Sequence, residues 1–163
     1  MKKLAEEAVR KESVRQEIEV KGVFATSRDA LLMLMRLVLG VVFFAHGSQL
    51  ATGWFGGHGF HATMGFFTKM MHIPAFFAFM AIVAEFVGGI CLLIGFLSRI
   101  AAFGIAIVML VAIFKVHLAH GFFLPAGLEY ALVLLAVAIL ILVKGGGALS
   151  VDGAIAGEGE RAR

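Results

Sequence analysis

Four long apolar runs, at residues 30–51, 74–97, 100–119 and 128–143, restrict what this chain can fold into more than any other feature. At a rise of 1.5 Å per residue, about twenty residues cross a hydrocarbon core of roughly 30 Å. The first three runs are long enough unaided, and the fourth draws on its flanks. Backbone amides find no water partners in lipid, and no alternating ten-residue strand pattern occurs, which leaves helices as the spanning form. The runs therefore predict an all-α fold, a membrane four-helix up-down bundle. Composition agrees: hydrophobic residues at 61% against charged residues at 15% lie well outside the soluble globular range.

The connections set the topology. Leu97-Ser98-Arg99 is a minimal turn between the second and third runs, residues 52–73 form a longer glycine-rich link, and residues 121–127 a short one around Pro125. Lys and Arg crowd the first 28 residues and recur at Arg99, Lys144, Arg161 and Arg163, all on one side of such a bundle. The positive-inside bias makes that side cytoplasmic, with both termini on it; the charge distribution signals orientation and not nucleic-acid binding. The division is then a charged cytoplasmic extension over residues 1–28, a transmembrane domain over 29–147 and a cytoplasmic tail over 148–163. The extension mixes several Glu with its Lys and Arg, unlike a signal peptide. Ser13-Val-Arg-Gln16 has the form of a capping box, so an amphipathic surface helix and disorder are both open for it. Cys91 stands alone in an apolar run, which excludes an internal disulfide and a CxxC redox pair and points to packing.

Few polar residues enter the spans. Arg36 lies about 10 Å and Glu85 about 18 Å from the cytoplasmic ends of their helices, counted by rise. Each costs on the order of 2.5–3.5 kcal/mol in the bilayer centre, so neither is expected to stand alone. A buried Arg36–Glu85 pair is the leading expected contact, either fixing helix register or serving as a proton path or headgroup site. Gly40, Gly47, Gly88 and Gly89 flank these two residues and allow close helix approach on the same face.

His46 and His117 fall at depths of about 25 and 26 Å by the same count, with His120 one turn further on and Glu129 opening the fourth helix. This layer of His46, His117, His120 and Glu129 could relay protons, hydrogen-bond a quinone carbonyl or hold a metal. Phe44-Ala45-His46-Gly47 and Leu118-Ala119-His120-Gly121 form a weak internal echo that hints at two hairpins. Lys115 is offset from His117 and is expected to snorkel outward or to face another subunit. In the outer link, His58, His61, Met64 and His72 offer imidazole and thioether donors of the kind that suit copper, at a spacing that matches no specific site. Trp54 and Phe55 read as interfacial anchors.

Taken together, Arg36-Leu-Val-Leu-Gly40, Phe44-Ala-His46-Gly47, Pro74, Ala84-Glu85-Phe-Val-Gly88-Gly89, Gly95, Ser98-Arg99-Ile-Ala-Ala102, Glu129, Gly145–Gly147 and Ser150-Val-Asp152-Gly153 resemble the DoxX family of small bacterial and archaeal membrane proteins. The resemblance covers about residues 30–153. It implies a subunit of a quinone-linked redox or respiratory assembly in the cytoplasmic (inner) membrane, in contact with lipid and with other membrane subunits. Quinone is the cofactor that role implies. Beside it stand a non-catalytic scaffold or assembly subunit and, as a minor alternative, a haem or copper carrier using the outer histidines.

Overall fold

The computed structural model describes residues 29–161 together with Arg10 and Thr26. The expected capping box at Ser13 lies outside the described residues. Among those described, every regular element is helical and no strand occurs. Helix α1, Ala30–Ala51, begins at Asp29, whose side chain accepts from the Leu31 and Leu32 amides at 2.8 and 3.4 Å. That satisfies two of the orphan donors of the first turn. A short helix α2, Gly59–Gly65, continues as a π turn over Phe66–Met70. Helix α3, Ala75–Ile94, starts after Pro74, where a missing N–H is harmless, and ends at the left-handed Gly95. Helix α4, Ser98–Ala112, runs on through a π turn at Ile113–His117 and a 3-10 turn at Leu118–His120. Helix α5 is Glu129–Lys144 and α6 is Val151–Arg161.

Three helical segments are long and apolar enough to cross a membrane: Ala30–Ala51, Ala75–Ile94 and Ser98–His120. Helix α5, at 16 residues, is about 24 Å long and falls short of the core by itself. The four long helices pack in a ring, α1 on α3, α3 on α4, α4 on α5 and α5 back on α1. Their inner faces hold Leu39, Phe43, Leu92, Ala102, Ile105, Ala138 and Ile141, all fully buried. Their outer faces expose Leu34, Val38 and Val41 on α1, Ile90 and Ile94 on α3, Phe103 and Ile107 on α4, and Val133 and Val143 on α5. An apolar belt of that extent is stable against hydrocarbon and not against water.

Glycine sets how closely α1 and α3 approach. A β-carbon on Gly47 would overlap the backbone of Glu85 and Phe86, and one on Gly89 that of Phe43 and Phe44. At Gly40 it would stand 3.0 Å from the Leu93 amide. These contacts fix one antiparallel register, with Gly47 beside Phe86 and Gly40 beside Leu93 and the Phe44 and Phe86 rings stacked 6.0 Å apart. In that register Arg36 lies level with the α3–α4 turn, while Glu85 lies level with Ser48 near mid-helix.

The chain beyond α5 folds back under the bundle. Ser150 and Asp152 are buried, and Gly145, Gly146 and Gly147 are buried with them. The Ala148 amide donates to the Asp29 carbonyl at 3.0 Å, and the Gly147 amide to Thr26 Oγ1 at 2.8 Å. Residues 145–153 thus close one end of the bundle.

Candidate functional site

Arg36 and Glu85 do not pair. Arg36 is almost wholly buried and donates from Nη1 to the Leu92 carbonyl at 2.7 Å and the Leu93 carbonyl at 3.2 Å, and from Nη2 to the Leu149 carbonyl at 3.2 Å. Leu92 and Leu93 carry last-turn carbonyls of α3, so the guanidinium caps the negative end of that helix. Across the same turn, Asp152 accepts from the Leu97 amide at 2.7 Å and the Ser98 amide at 2.8 Å, which caps the positive end of α4. The Asp152 amide donates to the Gly95 carbonyl at 2.9 Å, which sets its carboxylate on the α3–α4 turn near Arg36 without a direct ion pair. A cation and an anion therefore grip the α3–α4 turn from its two sides. Nearby, Arg99 Nη1 reaches the Leu142 carbonyl at 2.9 Å and ties α4 to α5.

The expected pair fails for a geometric reason. The glycine contacts set α1 and α3 in a register that leaves Arg36 level with the α3–α4 turn and Glu85 level with Ser48, twelve residues or about 18 Å apart along the axis. That distance is beyond the reach of an arginine, because the ends from which the two depths were counted are not level.

Glu85 is left with neither a hydrogen bond nor an ion pair among the described residues, at 9% exposure. It lies on the inward stripe of α3 with Ala78, Ile82, Gly88, Gly89 and Leu92, all buried. Gly88 meets Ile105 of α4 and Gly89 meets α1, so this stripe faces the gap between those two helices. A carboxyl group held there without a partner among the described residues calls for an explanation, as do the unbonded Arg36 Nε and Ser98 Oγ at the closed end.

The histidine layer does not assemble into one site. His117 Nδ1 bonds the Ala126 carbonyl at 2.8 Å, and His120 Nδ1 bonds the Val116 carbonyl at 2.8 Å. Glu129 Oε1 accepts from the Leu124 amide at 2.7 Å, so His117 and Glu129 brace the link between α4 and α5 while His120 bonds back into the π turn of its own helical segment. His46 is exposed on α1. In the other link His58, His61 and His72 are exposed and Met64 is half-buried. Among the described residues no three His, Cys, Asp or Glu side chains come close enough to hold a metal ion, so the copper reading of His58, His61, Met64 and His72 gains no geometric support. Lys115 is exposed in the π turn beside Phe114. Glu129→Ala should remove the brace on the Leu124 amide. A loss of about 1–2 kcal/mol is expected, with faster amide exchange confined to residues 122–128.

Sequence reasoning missed Asp152, Ser98 and Ser150 as parts of the buried arginine site. Their signal was available: a buried Arg needs an anion on the side toward which it leans, and Asp152 follows the last span closely.

Comparison with known proteins agrees with this architecture. The chain matches the DoxX family model over residues 31–118, more than half of its length. It is 29% identical over 105 residues, 64% of this chain and 73% of the relative, to a Bacillus subtilis (strain 168) protein named "Putative oxidoreductase CatD". No solved structure gives a significant match. With its apolar spanning helices and this family match, the chain belongs to the DoxX family of membrane proteins.

Proposed function

We propose that this protein is a membrane subunit of a quinone-linked redox assembly, and that Glu85 is the group that meets the quinone headgroup. The carrying observation is a carboxyl group buried among apolar side chains with no partner among the described residues. The named activity of the Bacillus relative, an oxidoreductase, points the same way. A quinone, when bound, supplies two-electron, two-proton chemistry. Glu85 offers a hydrogen bond to a headgroup oxygen and a proton that can be given or taken there. The exposed apolar belt suits the isoprenoid chain and neighbouring membrane subunits, while Arg36 and Asp152 keep the helices at the spacing the site needs. In this reading the 145–153 closure and both termini face the cytoplasm across the inner membrane. His117, His120 and Glu129 then form the opposite rim, through which the headgroup region is approached.

The test is quinone content and quinol turnover in the natively extracted protein. Retained quinone in the wild type, with turnover of the assembly reduced at least about 100-fold in Glu85→Gln at unchanged stability, is expected. No retained quinone together with undiminished turnover in Glu85→Gln would remove the proposal. A non-catalytic assembly subunit is the second reading. It is favoured by His117 and Glu129, which bond to the backbone of the α4–α5 link, and by His120, which bonds back to Val116. Unchanged turnover in Glu85→Gln with a stoichiometric membrane partner co-purifying would select it.

A further inference from the structure

The surroundings of Glu85 differ sharply toward the two ends of the bundle. Toward the Arg36 end, from the level of Ser48 to that of Arg36, twelve residues of α1 make a layer about 18 Å thick. It is filled by Leu39, Phe43, Leu92, Ala102, Ile105 and Ile141, none more than 1% exposed. Beneath it Arg36, Ser98 and Asp152 are equally inaccessible, and the buried glycines 145–147 close the end. Water has no polar handhold in that layer, since every buried side chain in it is hydrocarbon.

Toward the histidine end the character changes. Ser48 is buried beside Gly47, which abuts the Glu85 backbone, and its hydroxyl donates to the Phe44 carbonyl at 2.6 Å. Thr52 Oγ1 donates to the Ser48 carbonyl at 2.8 Å, and the buried Thr63 on α2 donates to the Leu50 carbonyl at 3.1 Å. Each hydroxyl has its proton engaged and its oxygen still able to accept. In this half Met109, Ile113, Leu134 and Leu135 are each 8% exposed, beside the tightly buried Ala78, Ile82 and Ala131. Regular α-helix also fails here, in the π turn at Ile113–His117 and the 3-10 turn after it, which redirects backbone carbonyls. Side chains on a helix tend toward its N-terminus, which for α3 is the histidine end.

We infer that water and small polar solutes reach Glu85 from the histidine end of the bundle and not from the Arg36 end. Among the described residues, Arg36, Arg99 and Lys144 lie at one end of the packed helices and Lys115, His117, His120 and Glu129 at the other, while the exposed His46 is level with Glu85 and the half-buried Cys91 lies between Glu85 and the Arg36 end. The route is therefore set by packing and by the hydroxyl positions of α1 and α2. This inference deepens the reading of Glu85 given above and rests on it for its purpose, although its geometry does not involve quinone.

Substituted-cysteine labelling tests it, because Cys91 is the only cysteine in the chain. In a Cys91→Ala background, Glu85→Cys and, separately, Ser48→Cys are exposed to a small charged methanethiosulfonate from each side of sealed vesicles. His58→Cys and Lys144→Cys identify the two sides. Modification at least about tenfold faster from the His58 side is expected at both buried positions. Equal rates, faster reaction from the Lys144 side, or no reaction from either would overturn the inference. One-sided labelling in a protein without quinone would keep the route and remove the quinone reading. Two-sided labelling with quinone retained would do the reverse.

Discussion

Asp152→Ala should lower the unfolding free energy by about 3–5 kcal/mol, the usual consequence of stranding one member of a buried charged cluster. The substitution removes both acceptors from the Leu97 and Ser98 amides and leaves Arg36 without the anion beside it. Loss of a helix cap alone accounts for only about 1 kcal/mol, so the size of the effect separates a capping role from a charge-holding one. Asp152→Asn, which keeps an acceptor oxygen but no charge, should fall between wild type and Asp152→Ala. Denaturant titration in mixed micelles reads all three. An Asp152→Ala midpoint equal to wild type would show that the closure is not structural.

Gly47→Ala should be comparably damaging, by about 3 kcal/mol or more, although it adds one methyl group. Overpacking usually costs about 1–3 kcal/mol when side chains can yield. Here the new atom would overlap the α3 backbone at Glu85 and Phe86, which cannot move without parting α1 from α3. Gly65→Ala is the matched control, because a β-carbon there meets nothing within 4 Å. In a helix that change should be neutral or favourable by up to about 1 kcal/mol. Equal stability of the two variants would refute close backbone contact as the basis of the α1–α3 pairing.

Three of the four expected spans were legible because hydropathy and rise decide them almost alone, whereas the fourth run gives a helix too short to count as one by length. Asp29, Pro74 and Gly95 mark boundaries by simple cap chemistry. The close-packing glycines were also visible, since small residues at helical spacing are the means by which membrane helices approach. Arg36 and Glu85 were recognised as buried, yet their partnership was misread. Depth counted from each helix's own end holds only if the ends are level, whereas the glycine contacts set the start of α1 well below the α3–α4 turn. Asp152 was hidden for another reason: it lies past the last span, and only the fold-back at Gly145–Gly147 carries it under the bundle. Counting by rise gave His117, His120 and His46 a similar depth, but a counted depth does not make a common site when His117 can bond Ala126 across the link and His120 can bond back to Val116.

The division of labour between Arg36, which locks the α3–α4 turn, and Glu85, which stands apart from it, is open to one direct measurement. Double-mutant cycles on unfolding free energy, built from Arg36→Met with Glu85→Gln and from Arg36→Met with Asp152→Asn, measure each coupling separately. Coupling above about 1 kcal/mol between Arg36 and Asp152, with less than about 0.5 kcal/mol between Arg36 and Glu85, is expected. The reverse order would mean that the two intramembrane charges hold each other after all.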